Sequence, residues 1–520
     1  MILLKKFLTV SGMTLLSRIL GVIREMILSV YLGASLEMDT CLVAMKFPKF
    51  FRKCFSEEGL NSVLVPSLAE LEVKNKNKFA QLFSSEIFSI VCYVSLIITV
   101  LVVIFAKYFV LLMAPGFAND PEKLSMTIYF TRIMFPSVLF LAISAIYSGI
   151  LISNQKFGLY TISPLIINIT LIVSILLSRN SLHPGRGFAY GVLSATIIQF
   201  SYMYSILKCK HLTTPKFTIP KFTKSVKQFF KKLAPVIASA GVAQINVFID
   251  SFFSSYLFTG CITYLYFADR LNQLPLSLFG ISMSIILLPE IAKIKARNQN
   301  KNIDSSDNEV KNLCKDSILF TLRLTFPVVI IISNLSYNFI DIIYGYGKFT
   351  KFDVINTSTV LSIVSLGLPA YVLAKILSAI FFAQKNTKTP IKAAMIAICS
   401  NLVLNVLLMK KFQFAGIAVA TMISGYVQMI ILGRDLRKSS IFNKNFVLQI
   451  MKILISTIAI YIAILISKNY LIIQNTNETL NNILSLTIYS SVGLITYVLM
   501  LYILKDQAVC NILNKYIKKN

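Results

Sequence analysis

Arg18, Arg24, Asp39, Lys46, Asp250, Asp269 and Arg270 all fall inside otherwise apolar, membrane-length segments of this 520-residue chain. A charge at the centre of a bilayer costs about 2.5–3.5 kcal/mol even on the lenient insertion scale, so seven such groups facing lipid would cost roughly 20 kcal/mol. That exceeds the net stability of most domains. These residues are therefore expected to line a wet interior cavity. Arginine stays charged and offers paired donors in a planar fork that matches phosphate oxygens. Several arginines around one cavity point to an anionic cargo that carries phosphate, with carboxylate as the competing ligand.

The first segment shows how such a cavity wall would be built. Taken as a helix, it gathers Arg24, Ser17, Gly21, Thr14, Glu25 and Arg18 into an arc of about 120°, while Leu15, Leu16, Ile19, Leu20, Ile23 and Ile27 cover the rest. A helix lying on a membrane surface would show a lysine-rich polar face. This arc holds Thr, Ser and Gly instead, which favours an inward orientation. In the second segment Asp39, Lys46 and Lys53 recur every seven residues, with Pro48 expected to kink the row. Arg52 and Glu57 follow at its end. Asp39 is expected to neutralise one of the arginines.

The elements that carry these residues are membrane spans. The chain is 56% hydrophobic, with a mean hydropathy of +0.72. Twelve stretches of 17 or more residues contain no Asp, Glu, Lys or Arg, Ile87 to Ala106 and Thr479 to Leu504 among them. Each approaches the 20 or so residues that cross a bilayer. The 57 residues from Leu233 to Pro289 suit two long helices that turn near Thr259-Gly260. With Phe446 to Ser467, and the charged segments 7–32 and 36–52, the expected total is fourteen spans. An even number puts both termini on one side. Most of the 51 Lys and Arg then flank the side with the N-terminus, which makes that side cytoplasmic. Between 208 and 232 alone lie Lys208, Lys210, Lys216, Lys221, Lys224, Lys227, Lys231 and Lys232, with no acid. The net charge of +29 is thus accounted for by topology and by attraction to anionic lipid heads, and nucleic-acid binding is not expected.

Signatures of enzymes are missing from the sequence. His183 and His211 are expected on opposite sides of the membrane. Gly345-Tyr346-Gly347-Lys348-Phe349 superficially resembles a P-loop, yet lacks its glycine spacing and the Ser or Thr after Lys. The eight cysteines show no metal-like spacing, and no cofactor is expected. The N-terminus lacks a convincing signal-peptide cleavage site. The polar stretch 295–316 reads as a flexible cytoplasmic linker.

A faint internal echo divides the chain. Gly33 and Pro48 sit fifteen residues apart, as do Gly260 and Pro275, and Gln155-Lys156 is echoed by Gln384-Lys385 at nearly the same offset. Repeats of this kind build transporters with the site at their interface. The expected organisation is an N-terminal lobe over 1–232, a second lobe over 233–445, and two added helices with a tail over 446–520.

Ser17-Arg18-Ile19-Leu20-Gly21 with Arg24, then Gly33-Ala34, Asp39, Lys46-Phe47-Pro48, Arg52 and Phe55-Ser56-Glu57, resembles the start of the MurJ/MviN lipid II flippases. Further matches are Val65-Pro66, Ala114-Pro115-Gly116-Phe117, Tyr266-Phe267-Ala268-Asp269-Arg270-Leu271 and Tyr346-Gly347-Lys348-Phe349-Thr350. The likeness covers nearly the whole chain. It implies an all-α polytopic membrane protein with two pseudo-symmetric lobes around a central cavity, of the multidrug/oligosaccharide-lipid/polysaccharide exporter type. The implied cargo is undecaprenyl-diphosphate-linked disaccharide pentapeptide, moved across the bacterial inner membrane for peptidoglycan synthesis, with cell-wall synthesis proteins as partners. The family's functional positions fall on Ser17, Arg18, Arg24, Asp39, Arg52, Glu57, Asp269 and Arg270, and on Thr263, where relatives often have Ser. Some members bind Na⁺ through acidic residues on the seventh and eleventh spans. The eleventh span here, Ala393 to Met409, has only Asn401 and Asn405, a departure from a carboxylate-rich sodium site. The competing reading is an exporter of another lipid-linked oligosaccharide or of small molecules in the same superfamily. Cavities for cationic drugs favour acids, which argues against the drug exporter.

Overall fold

Uncharged segments of this length can satisfy their backbone groups within a bilayer as helices, and all regular structure among the described residues is helical. The computed structural model describes residues 2–53, 59–73, 77–219, 222–297, 303–384, 386–437, 444–470, 478–506 and 509–510. It forms two compact units, Met1–Thr263 with Tyr346–Phe349, and Tyr264–Gly345 with Thr350–Asn520.

The first unit contains α1 (Ile2–Leu32), α2 (Leu36–Arg52), α3 (Leu60–Val73), α4 (Asn77–Ile104), α5 (Ala106–Met113) and α6 (Pro121–Met134). These are followed by α7 (Ser137–Ser153), α8 (Phe157–Tyr160), α9 (Ser163–Leu177), α10 (Pro184–Cys209), α11 (Lys224–Ser254) and the first turn of α12 (Cys261–Pro275). The second unit holds the rest of α12, then α13 (Ser282–Arg297), α14 (Ile303–Asn334), α15 (Ser336–Tyr344), α16 (Lys351–Leu366) and α17 (Leu368–Ala383). It ends with α18 (Lys388–Arg437), α19 (Lys444–Tyr470) and α20 (Glu478–Ile503).

Among the described residues, eight helical stretches are long and apolar enough to cross a membrane, or nine if the bent pair α16–α17 is one span. All fourteen segments expected as spans lie in helices. Those outside the apolar set are α1, α2, α10 and α11; α1 carries Arg18, Arg24 and Glu25, and α2 has only 17 residues. The stretch 388–434 counts once in that set, although Gln413, at φ 50 and ψ −130, breaks it into two arms.

Local chemistry sets the boundaries. Ser35 caps α2 by accepting from the Met38 amide, Asp120 caps α6 from ahead of Pro121, and Thr350 with Asp353 forms a reciprocal capping box on α16. Gly33 and Gly260 both adopt positive φ, 60° and 102°, and each introduces the helix that contains the second member of its pair, Pro48 or Pro275. The turn expected near Thr259-Gly260 lies between α11 and α12. Glu37, in the first turn of α2, accepts from the Gly185 amide at the start of α10 and contacts His183 Nδ1 at 2.8 Å.

The polar stretch expected as a linker is a correction. Residues 298–302 lie outside the described residues, but 303–316 form the opening turns of α14. Val310, Cys314 and Ile318 recur every four residues and are buried in the second unit's core with Leu287, Ile291 and Phe446. A stripe at that spacing makes one face of a helix, and the Asn, Lys and Asp around it mask the pattern. The first unit has its own core around Leu60, Leu64, Ile87, Ile146 and Leu233.

Candidate functional site

The polar arc of α1 is turned toward α9. Leu15, Leu16, Ile19 and Ile23 are exposed, as expected for a lipid-facing stripe. On the other side Arg24 Nη1 donates to Asn168 Oδ1 at 2.8 Å, and Arg24 Nη2 pairs with the carboxylate of Glu25. Asn168 Nδ2 in turn donates to the Ser17 carbonyl at 3.1 Å and approaches Ser17 Oγ at 3.5 Å. One amide thus spans two turns of α1 and brings Ser17 and Arg24 to a common partner. Glu25 is buried, and Arg24 keeps 18% of its side chain exposed. Arg18 is exposed on the same helix.

The placement of Asn168 follows from close helix packing. Gly187 and Gly191 of α10 face Ser178, which caps the end of α9, and Ser174 within it, so closely that a Cβ on either glycine would lie 2.0 Å from a serine Oγ. This spacing of small residues lets two backbones approach within a membrane. It fixes α9, and with α9 the amide that holds Arg24. Asn168 was missed by sequence reasoning. The signal for it was a lone amide within the uncharged stretch Phe157 to Ser178.

Asp39 corrects an expectation. Its carboxylate, expected to neutralise an arginine, accepts instead from Gly260 N at 2.7 Å, Thr263 N at 3.0 Å and Thr263 Oγ1 at 2.6 Å. The N-terminus of a helix leaves amides without partners and carries partial positive charge. Asp39, fully buried on α2, therefore caps α12 from outside its own chain segment. Both Asp39 and Thr263 are spent on this cap. The turn before α12 is seated against Gly116, whose amide donates to Ser255 Oγ at 3.0 Å and whose missing Cβ would lie 2.3 Å from the Ser255 carbonyl oxygen. This is the structural use of the Ala114-Pro115-Gly116-Phe117 motif.

Asp269 and Arg270 lie further along α12 in the second unit. Gln273 Nε2 donates to Asp269 Oδ2 at 2.5 Å, and Arg270 Nη1 reaches Gln273 Oε1 at 3.5 Å. The Arg270 guanidinium lies over the Tyr266 ring, 4.8 Å from its centre, an arrangement that holds the planar cation in one orientation. Gln273 and Tyr266 are one helical turn from the pair they brace. Arg52 ends α2, half-buried, where a cation complements the helix dipole. Glu57 lies outside the described residues.

In α18 the two amides of the eleventh expected span form a buried ladder. Asn405 Nδ2 donates to Asn401 Oδ1 at 2.9 Å, and Asn401 Nδ2 to Thr421 Oγ1 at 3.2 Å across the break at Gln413. The ladder is neutral, and its first amide oxygen is already occupied. These groups do not fit a sodium site built on carboxylates.

Comparison with known proteins completes the description. Residues 28–499 match the family model described as lipid II flippase MurJ. A curated relative from Buchnera aphidicola subsp. Acyrthosiphon pisum (strain APS), named probable lipid II flippase MurJ, is 32% identical over 506 residues, covering 96% of this chain and 97% of its own. A solved structure, lipid II flippase MurJ in an inward closed conformation, matches with a TM-score of 0.77 and 30% identity over 95% of this chain and 98% of that one. An inward-facing multidrug resistance MATE transporter of the MOP superfamily matches with a TM-score of 0.65 at 13% identity, over 84% of this chain and 98% of that one. The last is a likeness of fold alone.

Proposed function

This chain belongs to the MurJ family of lipid II flippases, and from that membership we propose that it carries the undecaprenyl-diphosphate-linked disaccharide pentapeptide from the cytoplasmic to the periplasmic leaflet of the inner membrane by alternating access. The observation that carries this reading is the match over residues 28–499. The geometry supports it through guanidinium groups kept on helices that otherwise face apolar surroundings. Arg24, braced by Asn168, and Arg270, stacked on Tyr266, are each an oriented planar donor of the kind that suits diphosphate oxygens. Arg18, Arg52, Ser17, Glu57 and Asp269 contribute to cargo handling. Asp39 and Thr263 act by holding the start of α12. Fourteen spans put both termini in the cytoplasm, with lobes over 1–232 and 233–445 and two added helices over 446–520.

The direct test is depletion of the protein followed by an assay of which leaflet holds lipid II. Accumulation on the inner leaflet is expected. Unchanged sidedness overturns the proposal.

A further inference from the structure

The connection between α10 and α11 contains a short tandem repeat that transport of cargo leaves unused. Pro215-Lys216-Phe217-Thr218 is followed at a spacing of five by Pro220-Lys221-Phe222-Thr223. The threonine of each copy is tied to α4. Thr218 N donates to Ser89 Oγ at 2.9 Å, and Thr223 Oγ1 donates to Glu86 Oε2 at 2.9 Å. Lys216 N adds a third bond, to Ser85 Oγ at 3.0 Å. Lys216, Thr218 and Thr223 are thus all held against one helix, α4.

What the strip presents outward decides its partner. Phe217 and Phe222 are each 61% exposed, and Ile219 between them is 80% exposed. Lys208, Lys210, Lys216, Lys224, Lys227, Lys231 and Lys232 are all exposed around them, with no acid between 208 and 232. Phe217 also meets Tyr93 at 5.0 Å between ring centres. Tyr93 begins the exposed apolar stripe of α4 that continues through Val94, Ile97 and Leu101. Three large apolar side chains held out beside lysines, and continuous with a lipid-facing stripe, match a bilayer interface, where rings sink to the acyl boundary and ammonium groups stay at the headgroups. An acidic protein or a nucleic acid would satisfy the lysines but leave that continuity without a purpose.

We propose that residues 208–219 and 222–232 form an anionic-phospholipid binding edge, in which Phe217, Ile219 and Phe222 insert beside α4 and the exposed lysines gather acidic headgroups of the adjoining leaflet. The chain contains no tryptophan, so Phe217→Trp gives a single fluorescent reporter in the full-length protein. The variant is reconstituted into vesicles of phosphatidylcholine and phosphatidylglycerol at equal mole fraction, with brominated, quenching acyl chains on one lipid or the other. Quenching by brominated phosphatidylglycerol should indicate local enrichment of about threefold or more, since each lysine near a charged surface contributes attraction that salt weakens. High salt should bring the two lipids to parity, as should a variant with Lys208, Lys210, Lys216, Lys224 and Lys227 changed to Gln. A Leu182→Trp reporter, just before the opposite end of α10, should show no preference. Equal quenching by both lipids at low salt overturns the proposal, and so does an unquenched reporter, which would place the strip against water or another macromolecule. The salt titration uses the native lysines and stands even if the multiple variant folds poorly.

Discussion

Arg24 and Asn168 share a hydrogen bond of 2.8 Å, and the same amide returns to α1 two turns earlier, at the Ser17 carbonyl. Arg24 is therefore aimed by an uncharged amide as well as by the Glu25 carboxylate. Asn168→Leu keeps the branching of the side chain but removes the acceptor for Arg24 and the donor to the Ser17 carbonyl. A hydrogen bond to a charged group is worth about 1.5–3 kcal/mol, so transport should fall by about tenfold or more, with a smaller effect on thermal stability. Arg24→Ala should abolish transport, and Arg24→Lys should restore only part of it, because a point charge lacks the paired geometry. Complementation of a depleted strain, with protein levels checked, reads all three. Full growth with Arg24→Ala at normal expression removes Arg24 from the site.

Asp39 and Thr263 give a prediction of a different kind, since their partnership is structural. Thr263→Ser keeps the donor to Asp39 and should leave thermal stability within about 1 kcal/mol, whereas Thr263→Val should lose about 2 kcal/mol. Asp39→Asn should cost more, on the order of 3 kcal/mol, because an amide donor is turned into a helix N-terminus that already presents donors. Melting of the purified protein in detergent measures these differences. A Thr263→Val protein as stable as its Ser counterpart would show that the cap contributes nothing.

Much of this was legible in the sequence, for physical reasons that also mark where legibility stopped. The polar arc of α1 could be read because helical periodicity alone fixes which side chains share a face, and α1 does turn Ser17 and Arg24 away from its exposed leucines. The turn before α12 could be read because Gly260 interrupts a long apolar run. The partner of Asp39 could not, because an acid is satisfied equally well by an arginine or by the bare amides of a helix 221 residues away. Asn168 was hidden for the same reason: its role depends on which helix packs against α1. The opening of α14 was lost because its buried stripe is sparse among polar residues, and composition outweighed spacing.

Gly33 and Gly347 make a reciprocal clasp. Lys348 N donates to Val30 O at 2.9 Å. A Cβ on Gly33 would lie 2.5 Å from the Lys348 carbonyl oxygen, and one on Gly347 would lie 2.4 Å from that of Val30. Both glycines also hold positive φ, 60° and 64°, which costs an L-residue roughly 1–2 kcal/mol before any clash. Gly33→Ala and Gly347→Ala should each destabilise the protein by about 2 kcal/mol or more. Because both break the same contact, the double variant should fall well short of the sum. Fully additive losses in melting experiments would mean that the two glycines act independently.

The final prediction concerns the driving force. The sequence carries no nucleotide-binding motif, and the cargo's headgroup is anionic. Movement from a negative cytoplasmic side to the outside runs downhill in potential. Two diphosphate charges crossing 100 mV gain roughly 5 kcal/mol, enough to bias export strongly. Arginines that travelled with the cargo would offset part of this, whereas arginines on helices that reorient around it would not. The Asn401–Asn405–Thr421 ladder supplies no carboxylate to hold a cation, so removal of Na⁺ should leave transport unchanged. Collapsing the potential with valinomycin and K⁺, at a constant pH gradient, should trap lipid II on the inner leaflet. Transport that persists without potential and stops when Na⁺ is withdrawn would overturn this account, and would point to Asn405 Oδ1, the buried oxygen of the ladder that has no hydrogen-bond partner, as a ligand for the cation.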